Sequence, residues 1–435
     1  MKFIALILFV LSFTSRVFNQ VEFGYPSLDV PMSPDGNGMA GIDGTLSSDN
    51  PLAIFSNPAQ LGISSINPAL RVSALSSFHK PSDLLLDYWL LPGGGFTRNA
   101  VAAALGLNLN EYISSPARLS AGIGYEHSSF TMGTFRFINE TPVEPEISTN
   151  EYSNNYSIGF GAEYYVKLGI GFTYKYIGGL NSVYFNEIFS RTIETNTSAC
   201  DIGIMINIPV TEIIDKTVGY KPMISDNITP TIDIGTGYAE RNIGGQVQNN
   251  GWIMDALLPR SALCGVSVAF GLEHKGVSDN LKIINCTLAH EAEDMLIVLI
   301  PEVNDSLGNE ISPETYRYAS GLGTIRFLQD VILGNGNNHA TLRKGWQIDL
   351  CEALVIRGGS VVGHDIGYLT FGYGFRLSGL LKTLERISPA ISSTGVVSFF
   401  MNHIDLRYDH SSNRFDDWYD LNNDATYDSW MIVLK

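Results

Sequence analysis

The feature that most constrains this chain is a two-residue rhythm, held for about 9 to 12 residues at a time. In NYSIGFGAEYYV, Tyr156, Ile158, Phe160, Ala162 and Tyr164 share one face, and Ser157, Gly159, Gly161 and Glu163 share the other. LGIGFTYKYIGG sets Leu168, Ile170, Phe172, Tyr174 and Tyr176 against Gly169, Gly171, Thr173 and Lys175. The same pattern places Glu273 on the polar face of SALCGVSVAFGLEH, and Arg376 on that of YLTFGYGFRLSG. Alternation means strands with one apolar face and one polar or small face. Ordinary strands average about 5 to 6 residues, whereas membrane-spanning strands need about 9 to 11. Length therefore favours an all-β, transmembrane antiparallel barrel over a soluble sandwich, and Glu163, Lys175, Glu273 and Arg376 are expected to line its lumen. Tyr164, Tyr176 and Tyr368 are expected near strand ends, as in an interfacial girdle.

Twelve more strand candidates are 69–78, 84–91, 99–109, 117–127, 129–138, 182–192, 199–209, 230–239, 281–290, 346–357, 394–408 and 427–434. Sixteen in all, with one or two given to loop hairpins, predict about 14 wall strands and, for an even number, both chain termini on the periplasmic side. Five long polar stretches, 139–154, 215–230, 238–251, 301–316 and 407–428, are expected to be loops. Charged residues are only 16% of the chain, against roughly 25% in soluble domains, which suits a wall facing lipid.

After Met1-Lys2 comes an apolar run, FIALILFVLSF, of signal-peptide length and too short to span a bilayer as a helix. Residues 1–20 are expected to be a signal peptide, 21–66 a plug segment and 67–435 the barrel. Beyond residue 20 the longest apolar candidate is MLIVLI at 295–300, stopped by Pro301, so no transmembrane helix is expected. A net charge of −17 argues against nucleic acid as a partner. Cys200, Cys264, Cys286 and Cys351 have no C-x-x-C spacing; one or two disulfides and single buried thiols both fit them.

No motif supports an enzyme, a metal site or a cofactor. AHEAED around His290 lacks a second His and reads as a strand end or loop. GNGNNH at 334–339 reads as a turn. Asp420, Asn422 and Asp424 open like a calcium loop, but Ala425 and Met431 stand where Gly and Glu belong. Arg357 in IRGGS is expected to face the barrel interior or a turn.

SSDNPLAIFSNPAQLG, residues 47–62, breaks the rhythm. Asn is a favoured helix cap and Pro a favoured first helical residue. Asn50-Pro51 therefore predicts a short helix over 51–55, and Asn57-Pro58-Ala59 a second over 58–61, stopped by Gly62 as a left-handed cap. Carrying Leu52, Ile54, Phe55 and Leu61, the pair is predicted to sit inside the barrel as a plug, with Phe55 shielded.

The stretch GMAGIDGTLSSDNPLAIFSNPAQLG, 38–62, resembles the N-terminal signature of FadL-type outer-membrane proteins, and most of all their PorV/PorQ branch. Asn57, Pro58 and Ala59 match its core, with Gln60 in place of the usual Gly. Residues 346–382 are similar to the late hairpin of that branch. The resemblance covers about 60 residues and implies a 14-stranded barrel in the bacterial outer membrane. It implies service in type IX secretion, with secretion subunits and the C-terminal signal domains of cargo as partners. The alternative it implies is a channel for hydrophobic small molecules, with a hydrophobic ligand. A soluble exported β-protein with a structural role is the reading that needs no membrane.

Overall fold

The computed structural model describes residues 25–30, 32–79, 96–136, 145–185, 189–219, 222–225, 227–244, 257–275, 280–300, 303–304, 310–312, 315–336, 339–363, 366–388, 395–415 and 425–435. Fourteen antiparallel strands close into a barrel. They are β1 (Leu70–His79), β2 (Phe96–Asn108), β3 (Arg118–Arg136), β4 (Pro145–Glu163), β5 (Lys167–Phe185), β6 (Phe189–Pro209), β7 (Ile228–Gly244), β8 (Ser261–His274) and β9 (Leu281–Met295), then β14 (Thr341–Leu350), β15 (Leu354–Gly363), β16 (Ile366–Arg376), β17 (Ile404–Phe415) and β18 (Ala425–Leu434). β1 pairs with β18, from Leu70↔Leu434 to His79↔Ala425, so no strand edge is left open. Between β9 and β14 two small hairpins form, β10 (Ile297–Ile300) with β13 (Thr315–Tyr318) and β11 (Val303–Asn304) with β12 (Glu310–Ser312).

The wall is inverted relative to a soluble protein. Along β4 and β5, Tyr156, Ile158, Phe160, Leu168, Ile170, Phe172 and Tyr174 are exposed, while Gly159, Gly161, Gly169, Thr173 and Lys175 face inward. Register sets the apolar residues side by side: Tyr156↔Tyr174, Ile158↔Phe172, Phe160↔Ile170. The band continues around the wall through Ile204, Ile234, Phe270, Leu288, Trp346, Phe371, Ile432 and Val72. From Leu168 to Tyr176 are eight residue steps. At about 3.4 Å per residue and about 40° of tilt they rise roughly 21 Å, close to the about 25 Å apolar belt of membrane barrels. The band occupies the end of the barrel where β1 starts and β18 stops, here called the terminal end. Toward the far end the outward residues turn mostly polar, Tyr152 and Leu180 excepted: Asn150 and Asn154 on β4, Glu194, Asn196 and Ser198 on β6. Aromatic pairs mark the change, Tyr125 with Tyr156 at 5.4 Å and Tyr408 with Trp430 at 4.9 Å.

Several sequence expectations need correction. The barrel strands run from 10 to 21 residues, because many continue beyond the apolar band. Segments 117–127 and 129–138 form one strand, β3; Ser128 is no break, since it faces inward and its Oγ meets that of Ser153 at 2.9 Å. Segment 182–192 is the end of β5 and the start of β6 rather than one strand. Segment 346–357 is two strands; Cys351 and Glu352, both at φ 55°, turn the chain without a Gly, Asn or Pro signal. Gly395–His403 is a helix rather than the start of a strand, and its apolar run lacks any cue against a strand. The expected loops are shorter: strand takes 145–154, 238–244, 407–415 and 425–428, and the helix Val210–Val218 enters 215–230. Tyr176 lies in mid-strand, at the upper edge of the apolar band rather than at a strand end. The signal peptide, candidate 84–91 and the Asp420–Asp424 triplet lie outside the described residues.

Candidate functional site: the plugged lumen

Inside the barrel, the described residues of 32–66 fold into two arms. The first holds the paired Asn-Pro turns. Asn50 Oδ1 accepts the Leu52 N–H at 3.1 Å and starts a single 3-10 turn, Pro51–Phe55. In the second arm a short helix, α1 (Pro34–Asn37), precedes these turns in the chain. Asn57 Oδ1 accepts the Ala59 N–H at 3.0 Å and starts helix α2 (Ala59–Ser65). The same Asn57 donates through Nδ2 to Gly44 O at 2.7 Å, tying the arms together. Gln60 does likewise: Nε2 donates to Asp43 O at 2.6 Å and Oε1 accepts the Ser48 N–H at 2.9 Å.

Gly62 does not end the helix. It sits mid-helix, pressed against β4, where a Cβ would come within 2.2 Å of the Phe160 carbonyl oxygen. The requirement is closeness of approach, not a left-handed φ. The wall answers in kind. A Cβ on Gly171 would meet Pro58 O at 2.2 Å, one on Gly169 would meet Ala59 O at 2.6 Å, and one on Gly203 would meet Asn57 Oδ1 at 2.0 Å. The glycines on the polar faces of β4, β5 and β6 are thus the seat of α2.

The second arm carries α1 and the Gly-rich run to Thr45 along the opposite wall. Polar contacts hold it. Asn37 Nδ2 donates to Asn413 Oδ1 at 2.8 Å, the Ala40 N–H donates to Thr370 Oγ1 at 2.9 Å, and Thr45 Oγ1 donates to Glu291 Oε2 at 2.9 Å. Further along, Asp49 takes an Arg407 guanidinium at 2.6 Å.

Phe55 ends the 3-10 turn of the first arm and is 2% exposed. Lys175 Nζ stands 4.3 Å from its ring centroid and the Arg98 guanidinium 5.1 Å away, so two cations flank one ring. Lys175, fully buried, is held by Asp201 at 2.8 Å and donates to Asn242 Oδ1 at 2.9 Å. Around Phe55 an apolar cluster forms from Tyr25, Leu28, Met32, Leu52, Ile177, Leu258 and Tyr427.

Of the four residues expected to line the lumen, only Lys175 touches the plug turns. Arg376, the last residue of β16, pairs with Asp349 at 3.1 Å and borders a cavity below the plug. Glu163 sits at the terminal rim, paired with Arg118 at 2.9 Å, and Glu273 opposes Lys282 at that rim. Sequence reasoning missed Arg98, Asp201, Arg407 and the Arg357–Asp409 pair at 2.5 Å as parts of the lumen, apart from placing Arg357 inside or at a turn. A charge alternating with small residues on a strand, as Asp201 does with Gly203, is the signal that could have found them.

The cavity, about 930 Å3, lies at the terminal end and is lined mostly by charged and polar side chains, among them Arg71, Arg407, Asp349, Lys282 and Glu352. Two plug carboxyls respond to their surroundings in opposite ways. Burial pushes the Asp43 carboxyl well above its ordinary range, with Asp35 and Glu291 adding to the push. Burial also raises Asp49, but Arg407, Arg376 and Arg71 together overcome it and hold that carboxyl below the usual range.

No protein-family model matches the sequence, and no curated protein does either. Among solved structures the chain is similar to the toluene transporter TbuX of Ralstonia pickettii, 11% identical over 93% of this chain and 98% of that one, with a TM-score of 0.44. It is similar to a FadL homologue of Pseudomonas aeruginosa, 12% identical over 93% and 98%, TM-score 0.37. It is also similar to the β domain of the Bordetella autotransporter BrkA, 8% identical over 84% and 99%, TM-score 0.36.

Proposed function

We propose that the protein is a non-enzymatic barrel of the bacterial outer membrane, of PorV/PorQ type, serving type IX secretion or the surface attachment of exported proteins. The observation that carries this reading is the filled lumen. The plug reaches from the β2–β6 wall to the β7–β17 wall, and the large cavity beneath it is lined mostly by polar and charged side chains, with apolar ones such as Met39, Leu46 and Met431 between them. A small apolar solute would have to displace water from those charged groups without replacing their hydrogen bonds. The barrel acts as a scaffold whose far end and rim meet other proteins. Deleting the gene in its own bacterium is expected to leave exported proteins unattached at the surface; an unchanged set of secreted and surface-attached proteins ends this reading.

One observation favours a second function, a channel for hydrophobic molecules. The apolar cluster around Phe55 would become an apolar path if the plug moved. Uptake of an apolar solute by vesicles carrying the protein, with secretion unaffected in the deletion strain, would choose that function. A protein that stays soluble without detergent after outer-membrane extraction, with no heat-dependent shift on a gel, would remove both.

A further inference from the structure

Part of the excursion between β9 and β14 lies against the barrel wall. Residues 319–336 fold back on the outer wall, where the π-helical turn Phe327–Ile332 packs on β8 and β9. Val331 and Ile325 bury against Ala292, Leu342 and Val266, all outward-facing wall residues. The seat is fixed by polar contacts as well. The Thr324 N–H donates to Asp294, and the Asp330 carboxylate, itself buried, accepts the Arg326 N–H at 2.7 Å and its guanidinium at 3.0 Å. The opposite side of the turn shows large apolar groups: Leu328 is 70% exposed and Leu333 64%, with Phe327 and Ile332 beside them.

The position of this turn gives those side chains a place to go. Its footprint residues Ala292 and Leu342 lie four residues along their strands from Leu288 and Trp346, which are paired and belong to the apolar band. Val266 is four residues from Phe270, also in the band. The turn thus continues the lipid-facing surface at its far-end border. Lys344, which reaches Gly334 O at 3.4 Å, and the half-exposed Arg326, paired on its inner side with Asp330, stand where lipid headgroups would be. An exposed apolar patch contiguous with a membrane belt and edged by cations is the pattern of an interfacial anchor.

We propose that residues 327–333 are a lipid anchor, with Leu328 and Leu333 inserted into the acyl chains of the leaflet at the far end of the barrel. The idea rests on the membrane-spanning reading above. It adds that the excursion touches lipid, not water or another protein.

Nitroxide labels test it. In a background with Cys200, Cys264, Cys286 and Cys351 changed to Ser, single variants Leu328→Cys, Leu333→Cys, Phe371→Cys and Ser198→Cys are labelled and reconstituted in phosphatidylcholine vesicles. Collisions with oxygen, which concentrates in lipid, are compared with collisions with a water-soluble nickel chelate. The expected result is oxygen-dominated relaxation at 328 and 333, matching position 371 in the band and opposite to position 198 on the polar upper wall. Nickel-dominated relaxation at 328 and 333, with 371 still oxygen-dominated, overturns the anchor and leaves the barrel standing. Shielding of 328 and 333 from both reagents means protein covers them, and also overturns it. Nickel access at 371 brings down the membrane reading and the anchor together.

Discussion

The two arms of the plug are held by different physics. The arm at 50–65 is seated by shape: backbone carbonyls of Pro58 and Ala59 lie where glycine wall residues leave room, and Phe55 fits between two cations. The arm at 34–49 is seated by hydrogen bonds and charge to Asn413, Thr370, Glu291 and Arg407. A shape-held contact fails when volume is added and ignores pH. A charge-held contact tolerates volume better and follows the protonation of its carboxyls. Each arm therefore answers first to its own kind of change, while Asn50, Asn57 and Gln60 link the two.

The largest effect is expected at the buried ion pair beside Phe55. Lys175→Met removes the cation over Phe55 and leaves Asp201 buried without its ion partner, a loss of about 3–5 kcal/mol when one member of a buried pair is deleted. A urea titration read by loss of the heat-resistant folded band measures it. The double variant Lys175→Met with Asp201→Asn is expected to recover most of that loss. If the single and double variants unfold together, the pair does not hold the plug.

Next comes the shape-held arm. Gly171→Ala places a methyl against the Pro58 carbonyl, and overpacking against backbone costs about 1–3 kcal/mol. Gly367→Ala, where a Cβ meets nothing within 4 Å, is the matched control. The expected outcome is faster hydrogen exchange across 57–65 in the first variant and no change in the second. Equal exchange in both would mean that the glycine wall is not the seat.

That seat shows where the sequence was legible and where it was not. Alternation announces its strands, and alternation alone puts Gly169, Gly171 and Lys175 on one face. What it cannot say is why the glycines are there, because the partner that presses on them is more than a hundred residues away. Asn50 and Asn57 are readable because a cap acts on its own neighbours. Gly62 misleads for the same reason: a local rule made it a helix end, while its real constraint is the distant Phe160 carbonyl. The turn at Cys351 and Glu352 is hidden because both residues adopt positive φ without the usual side chains. The helix at 395–403 is hidden because its apolar run satisfies either period.

The charge-held arm is broken by two substitutions of opposite sign. Asp49 has a folded pKa below its unfolded value of about 3.9, so its stabilisation is present above that value and lost as pH falls through the lower one. Asp43 has its folded pKa raised, so its contribution is fullest in acid and is lost as pH climbs through the raised value. At neutral pH, Asp49→Asn is expected to loosen 34–49 by about 1.5 kcal/mol, the low end for a charge-assisted hydrogen bond, since the carboxyl faces the cavity. Asp43→Asn is expected to tighten the same segment. Exchange measured at neutral and acid pH separates them; two variants that both loosen the arm at neutral pH contradict this assignment of charge.

Asn50→Ala is the smallest change, and it asks which arm owns the link between them. Asn50 Oδ1 caps the Pro51–Phe55 turn, while Nδ2 donates to Asp35 Oδ1 at 3.0 Å on the other arm. Loss of a cap costs about 1 kcal/mol. If the cap is the main role, exchange quickens over 51–55 and the second arm stays protected at every pH. If the Asp35 contact matters more, residues 34–37 loosen with it. Asn50→Asp separates the two, because Asp keeps the cap acceptor but removes the donor and sets a second carboxylate against Asp35. The expected result is that Asn50→Asp protects 51–55 as the native residue does and loosens 34–37. That outcome would make the first Asn-Pro pair a cap for one arm and a clasp for the other.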